Sequence, residues 1–176
     1  MSGIGYTPPA SAASVDAIKA QTDPLYATPG WANYADSGTQ TLVAGVRTIW
    51  TNAATIKDET QVPTEVGSFW NPATNKIPGR DGDAINIRLK MTATPQDTTA
   101  SSLLIEFDIG GVIGVLDSHK FPLTDGAMVA MPITYPLPAF NRSTFAANGA
   151  TIYVTADGPV TLSNKALLVQ RVHRGR

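Results

Sequence analysis

Apolar and polar residues alternate along several segments in the second half of the chain. Odd-numbered positions are apolar from 85 to 91 and again from 103 to 109, and most positions between them are polar. Successive side chains of a β-strand point to opposite faces, so this two-residue period predicts strands with one buried face. The predicted buried faces are Ile85, Ile87, Leu89 and Met91, then Leu103, Ile105, Phe107 and Ile109, and further along Val129, Met131 and Ile133.

Turn-forming pairs such as Asp-Gly, Asn-Gly and Pro-Gly separate the apolar segments at short intervals. No helical period of comparable length competes with the two-residue period. Each half-apolar sheet must cover its face with another sheet, so this pattern is typical of an all-β fold, an antiparallel two-sheet β-sandwich. The predicted strands are residues 40–50, 66–70, 84–94, 102–109, 112–117, 127–134, 150–156, 159–163 and 166–173.

Two of the turn signals lie close together and predict a hairpin. Asn148-Gly149 precedes one alternating segment, and Asp157-Gly158 separates that segment from the next. Both glycines can supply the positive φ that tight hairpin turns require. We therefore expect the strands on either side of Asp157-Gly158 to pair with each other.

The chain divides near residue 30. Residues 1–30 are rich in Pro, Ala and Ser, a composition that disfavours an independent core and favours an extended N-terminal arm. Residues 31–176 hold all the predicted strands and are expected to form the β-sandwich domain.

The segment 51–82 contains several prolines and alternates only around 66–70, so it is predicted to be rich in loops. It carries two large aromatic residues, Phe69 and Trp70. One interpretation is that both fill the core, where aromatic side chains usually lie. The other is that both are exposed and bind a partner, because long ordered loops are often functional.

Charge and hydropathy narrow the classes of partner. Charged residues make up 15% of the chain and the net charge is -1, so the protein has no global field that would attract nucleic acid or an anionic membrane. The strongly apolar stretch 109–116 is too short for a membrane helix, which needs about 20 residues. The N-terminus lacks the basic start and apolar core of a secretory signal, so we expect synthesis in the cytoplasm.

Residues capable of catalysis or metal binding are sparse. The chain has no cysteine, which excludes disulfides and thiolate metal sites. His119 and His173 have no carboxylate or nucleophile at short spacing, and Asp81-Gly82-Asp83 lacks the glutamate of a calcium-binding loop. We expect no cofactor, no metal and no catalytic site.

Two groups of charged residues call for an interpretation. Glu106 and Asp108 share the polar face of a predicted strand, about 7 Å apart, which is compatible with a pair of glycosidase acids. No set of sugar-binding aromatic residues accompanies them, so we interpret them as part of a solvated outer face. Arg171, Arg174 and Arg176 close the chain and are predicted to form a solvated basic tail.

The succession of strands resembles a known family. The segments DGDAINIRLKMTATP, SSLLIEFDIGG, AMVAMPITYPLPAF, NGATIYVTADGPVTL and ALLVQRVHR are similar in layout to the jelly-roll domains, related to tumour-necrosis-factor-like folds, of bacteriophage virion proteins. The resemblance spans roughly residues 36–173. In these phage proteins the domain serves as a head decoration (cement) protein, a head fibre or a tail-fibre head, usually as a trimer, and has no catalytic residues to transfer.

The resemblance implies a non-enzymatic virion structural protein, most like a decoration protein that binds the outside of a phage capsid and stabilises it. Its expected partners are two further copies in a homotrimer and the major capsid protein, and its expected location is the capsid surface after synthesis in the host cytoplasm. An arm of this kind would reach the larger surface through Tyr6, Leu25, Tyr26 and Trp31.

Two other functions remain open. The first is a receptor- or glycan-binding fibre-tip module, in which residues 67–82 contact a host sugar or protein. Exposure of Phe69 and Trp70 would favour this module, and burial of both would favour the cement protein. The second is a glycan-cleaving enzyme that uses Glu106 and Asp108.

Overall fold

Two antiparallel sheets face each other and enclose one hydrophobic core in this computed structural model, which describes residues 30–123 and 128–173. The predicted all-β sandwich is therefore confirmed. In chain order the elements are β1 (Gly30–Asp36), β2 (Gln40–Leu42), β3 (Thr48–Ile49), β4 (Ile56–Gln61), β5 (Lys76–Ile77), β6 (Ala84–Pro95), β7 (Ser102–Asp108), β8 (Val115–Pro122), β9 (Met131–Phe140), α1 (Thr144–Asn148), β10 (Ala150–Ala156) and β11 (Val160–His173).

The strand order within each sheet is that of a jelly roll. The six-stranded sheet has the order β4-β1-β11-β6-β9, and β2 also pairs with β11. The five-stranded sheet has the order β3-β10-β7-β8, and β5 also pairs with β10. Neighbouring strands are mostly distant in sequence, so the chain crosses repeatedly between the sheets.

The two segments with the clearest alternation form the inner faces of the sheets. In β6 the side chains at 85, 87, 89 and 91 are buried, and in β7 those at 103, 105 and 107 are buried, as predicted. Burial of a large aliphatic side chain stabilises a fold by about 1.5–3 kcal/mol. The inner faces therefore supply the main driving force for closing the sandwich.

Strand β11 is continuous, although the sequence predicts separate strands at 159–163 and 166–173. Asn164 has a positive φ of 48° at a bulge, where the pairing with β6 shifts. Before the bulge the even-numbered side chains Val160 and Leu162 point inward, and after it the odd-numbered Leu167 and Val169 do. An extra residue in a strand reverses the facing of all that follows, so the bulge keeps both halves of β11 in the core.

The bulge also turns a lysine into the interior. Lys165 and Asp36 are both buried, and the Lys165 Nζ lies 2.9 Å from the Asp36 Oδ2. The ammonium group also donates a hydrogen bond to the carbonyl oxygen of Thr51 at 2.8 Å. The Asp36 carboxylate accepts hydrogen bonds from the backbone N–H groups of Gly38 and Ala53. The ion pair therefore ties β1 to β11 and to the segment after β3.

The predicted hairpin is wrong. β10 pairs with β3, β5 and β7, and β11 pairs with β1, β2 and β6, so the two strands lie in different sheets. The turn between them is a corner held by Asp157, whose carboxylate accepts hydrogen bonds from the N–H and hydroxyl groups of Ser101 and Ser102. Gly158 does not have a positive φ. It is needed because a Cβ there would lie 2.4 Å from the backbone nitrogen of Ala100.

Other differences from the predicted strands concern the sheet edges. The predicted strand at 40–50 is interrupted and becomes β2 and β3, residues 66–70 form no strand, and the predicted strand 112–117 is displaced to β8. The sequence predicts neither β1 nor β4. β4 is an edge strand with no fully buried position, so its sequence shows no alternation of apolar and polar residues. β9 extends through Pro132, Pro136 and Pro138. These prolines are tolerated because β9 is also an edge strand of its sheet.

Arg171 does not belong to a solvated tail, because its side chain is buried. Its Nη2 donates a hydrogen bond to the Glu65 Oε1 at 3.0 Å, and its Nη1 lies 3.8 Å from the Asp83 Oδ2. The prediction failed because both carboxylates are remote in sequence. These contacts join the end of β11 to the start of β6 and to the loop after β4.

We predict that Lys165→Met lowers the free energy of unfolding by about 3–5 kcal/mol, because it leaves the buried Asp36 carboxylate without its counter-ion. Burial alone would raise the pKa of Asp36, but the hydrogen bonds from Lys165, Gly38 and Ala53 outweigh it and hold this pKa below its usual value.

A folded-state pKa below the unfolded value stabilises the protein fully above about pH 4, and this contribution is lost as the pH falls through the folded-state pKa. The difference between wild type and Lys165→Met should therefore be largest near neutral pH and shrink in acid. Urea unfolding followed by circular dichroism at several pH values measures it. A difference that does not depend on pH would contradict the assigned role of the ion pair.

Candidate interaction surface

The aromatic residues of the long loop belong to the hydrophobic core of the sandwich. Phe69 is 4% exposed and Trp70 is 1% exposed. The Trp70 Nε1 donates a hydrogen bond to the carbonyl oxygen of Asn52 at 2.9 Å, and its ring meets that of Trp50 edge to face with the centroids 5.8 Å apart. The structure thus matches the core-filling interpretation. A role for either residue in binding a partner would require its exposure.

A polar network lies beside these aromatic residues. The Tyr34 hydroxyl donates a hydrogen bond to the Glu59 Oε1 at 2.8 Å, and the Ser68 Oγ lies 2.7 Å from the same oxygen. The Lys57 Nζ lies 2.8 Å from the Glu59 Oε2. Burial raises the pKa of Tyr34 to about 12, and the contact with Glu59 adds to this shift. Burial opposes ionisation of Glu59, but its partners outweigh burial and lower its pKa.

This network borders an open groove of about 540 Å³ between β4 and the loop that follows it. Val66, Pro72 and Pro78 supply apolar walls, and Lys57 and Arg80 supply positive charge. Trp70 also lines the groove, but as a buried residue it offers no open ring face for stacking. This groove could not be predicted from the sequence, because its walls come from segments that show no periodic pattern.

Glu106 and Asp108 do not form a simple solvated face, because both bind Arg47. The Arg47 Nε donates to the Glu106 Oε2 and its Nη2 donates to the Asp108 Oδ2, each at 2.7 Å. The Arg47 Cζ also lies 3.5 Å from the centroid of the Tyr153 ring. Burial opposes the effect of Arg47 on Asp108, yet the pKa of this carboxyl is lowered. A glycosidase acid needs a raised pKa, so Asp108 lacks the electrostatics of such an acid.

Trp31 lies on the outer face of the six-stranded sheet and is 38% exposed. It lines a groove of about 380 Å³ with Asn33, Arg88 and Leu168. A second groove of about 310 Å³ continues from Arg88 and Leu168 towards Pro136 and Pro138. The outer face of this sheet therefore carries a continuous, partly apolar depression.

A second apolar surface lies on one flank of the sandwich, between the edge strands β8 and β9. Tyr135 donates a hydrogen bond from β9 to Asp117 of β8, and its ring stacks with that of His119 at a centroid separation of 6.3 Å. The Phe121 ring packs against His119 with centroids 4.5 Å apart. Large exposed apolar residues at the start of β8 are Val115 and Leu116.

The remaining predicted anchors, Tyr6, Leu25 and Tyr26, lie outside the described residues. Gly30, which the sequence assigns to the arm, is the first residue of β1 and pairs with Arg171. A Cβ at Gly30 would lie 2.3 Å from the Pro63 Cδ, so this position is packed within the sandwich.

Within residues 30–123 and 128–173, no group of three or more His, Cys, Asp or Glu side chains could hold a metal ion. No helix of that same part is long and apolar enough to cross a membrane.

No protein-family model and no curated protein sequence matches the chain. Among solved structures, it is similar to Eiger TNF from S. frugiperda, with a TM-score of 0.52 and 10% identity over 85% of this chain and 96% of that chain. At this identity the likeness shows the fold alone, which is the TNF-like jelly roll.

Two viral proteins also match, at lower TM-scores. The PRD1 vertex protein P5 has a TM-score of 0.47 and 11% identity over 84% of this chain and 73% of that chain. A chain of Broad Bean Stain Virus has a TM-score of 0.25 and 8% identity over 99% of this chain and 92% of that chain.

We predict that Trp70→Ala lowers the free energy of unfolding by about 3–5 kcal/mol, because it removes a buried ring and leaves a cavity. Trp31→Ala should lower it by about 1 kcal/mol or less, because the ring lies on an outer face. Urea unfolding followed by far-ultraviolet circular dichroism compares the two variants. If Trp70→Ala kept full stability, the core-filling interpretation of Trp70 would be wrong.

Proposed function

We propose that the protein is a non-enzymatic virion structural protein, a decoration or cement protein that binds the outside of a phage capsid as a homotrimer and stabilises it. The observation that carries this proposal is the outer face of the six-stranded sheet, where Leu168 lines two adjoining grooves and Trp31 lines one of them. A partly apolar face that no other described residue covers is suited to burial by a second copy.

The charges of the described residues also support a role in assembly. Asp36, Glu59, Glu106 and Asp108 each lie within ion-pair distance of a lysine or arginine of the same protomer. These four carboxylates therefore need no counter-ion from another protomer. The groove that holds Trp31 and Leu168 is also lined by Asp58, Arg88 and Lys90, so a contact between protomers there would combine burial of apolar area with charged contacts.

The resemblance to phage virion proteins and the TNF-like fold agree with this proposal at the level of architecture. Fold alone does not determine function. The specific role therefore depends on two properties that experiments can separate, self-association of the sandwich and attachment of the arm to a capsid.

We expect light scattering to give a mass near three times the 18.5 kDa of one chain. Leu168→Glu should shift the mass to that of one chain, because it places a charge in the proposed interface. Leu104→Glu is the matched control, since Leu104 is a half-buried leucine on the outer face of the five-stranded sheet. A wild-type mass of one unit, or equal effects of the two substitutions, would contradict the proposed interface.

Deletion of residues 1–29 should abolish co-sedimentation with capsids that lack this protein and leave the mass of the folded oligomer unchanged. Leu25→Ala with Tyr26→Ala should weaken binding in the same assay, and Thr22→Ala with Thr28→Ala serves as the control because it removes only small polar groups. Undiminished binding of the truncated chain would show that the arm is not the attachment site.

A receptor- or glycan-binding module is the second candidate. The groove beside Glu59 favours it, because hydroxyl, carboxylate and cationic groups converge on one concave site. The burial of Phe69 and Trp70 disfavours it, because neither ring is available to stack on a sugar. Titration with a panel of host oligosaccharides, followed by NMR shifts of the Lys57, Glu59 and Arg80 region, separates this function from the first.

A further inference from the structure

The loop between β7 and β8 presents two apolar side chains directly to solvent. Val112 is 103% exposed and Ile113 is 54% exposed. We call these two residues the Val-Ile knob. Solvation of neighbouring aliphatic side chains at a loop tip gives the isolated protomer no stabilisation, whereas their burial in a partner would be favourable.

Glycines and backbone hydrogen bonds define the turn that carries the Val-Ile knob. Gly110, Gly111 and Gly114 have φ values of 68°, 59° and 65°, a region that glycine adopts without strain. The Ile109 N–H donates to the Gly114 carbonyl oxygen at 2.9 Å, and the Gly114 N–H donates to the Gly110 carbonyl oxygen at 3.0 Å.

Contacts outside the loop add to this restraint. The Asp108 carboxylate accepts a hydrogen bond from the Gly110 N–H at 2.7 Å and is itself held by Arg47. A Cβ on Gly111 would lie 2.9 Å from the Thr144 Cγ2, so the loop packs closely on α1. A rigid apolar tip loses little conformational entropy on binding, which is the property of a preorganised anchor.

The Val-Ile knob lies at the end of the sandwich where the chain enters it. Gly30 pairs with Arg171, and Ala84 pairs with both His173 and Phe140, so these strand ends coincide. Helix α1 follows Phe140 and contacts Gly111 of the knob loop. The residues preceding Gly30 therefore join the sandwich at the same end as the Val-Ile knob.

The structure assigns the Val-Ile knob as the contact through which the sandwich docks on the protein surface that the arm binds, in an apolar pocket of that surface. This inference rests on the proposed function, because the arm is the proposed attachment to the capsid. The partner is a protein other than this chain, and the pocket must be large enough to take adjacent valine and isoleucine side chains.

The opposite end of the sandwich provides a matched control. Val43 is 64% exposed and Val46 is 49% exposed, in the turn after β2. The Gly45 N–H in that turn donates to the carbonyl oxygen of Ala156, at the end of β10 remote from α1. Substitution of either exposed pair by aspartate adds the same charge without disturbing the core.

The test is co-sedimentation of the full chain with capsids that lack it, for wild type, Val112→Asp with Ile113→Asp, and Val43→Asp with Val46→Asp. We expect the knob variant to bind at least about tenfold more weakly and the control to bind like wild type. Light scattering on all three proteins should give the same mass, because the knob contacts a different protein.

Each of the other outcomes would contradict a specific part of this inference. Equal binding of wild type and the knob variant would contradict the assigned contact and leave the decoration function intact. A stronger effect of the control pair would place the opposite end on the capsid. A change of mass in the knob variant would make the knob a contact between copies of this chain. Failure of the wild type to bind capsids would overturn both the proposed function and this inference.

Discussion

The six-stranded sheet depends on the bulge at Asn164, which reverses the face to which odd- and even-numbered residues of β11 point. Strand β11 pairs with β1, β2 and β6, so its two halves must both present apolar side chains to the same core. Because the bulge adds one residue, Val160 and Leu162 before it and Leu167 and Val169 after it all point into the core. The same displacement brings Lys165 inward, where Asp36 and Thr51 satisfy its charge and hydrogen-bonding capacity.

The parts of the fold that could be predicted from sequence are those in which local pattern and burial agree. β6, β7 and β10 each have one buried face, so alternation located them closely. β4 could not be predicted, because an edge strand without a buried face shows no alternation of apolar and polar residues. The hairpin was predicted wrongly because Asp157-Gly158 suits a tight hairpin and a corner between sheets equally well. Only the distant Ser101 and Ser102, which bind Asp157, decide between the two.

The candidate surface could be predicted less well, for a similar reason. Arg47 and Glu106 are 59 positions apart in sequence, and no spacing rule connects them. The Trp70 ring packs on Trp50, and the Phe69 N–H donates a hydrogen bond to the Tyr34 hydroxyl; sequence alone does not bring these residues together. From the weakly charged composition we predicted only that the protein has no global field to attract nucleic acid or an anionic membrane. The ion pairs of Asp36, Glu106 and Asp108 likewise join residues whose spacing in the sequence does not predict the contact.

The prolines of β9 limit the ways in which copies of this sandwich can join. Proline has no N–H, and in an edge strand it is tolerated where its nitrogen faces away from the neighbouring strand. Pro132, Pro136 and Pro138 therefore leave the free edge of β9 short of hydrogen-bond donors. A sheet edge of this kind is a poor template for another strand. Many copies could crowd together on one surface without fusing edge to edge into fibres at β9.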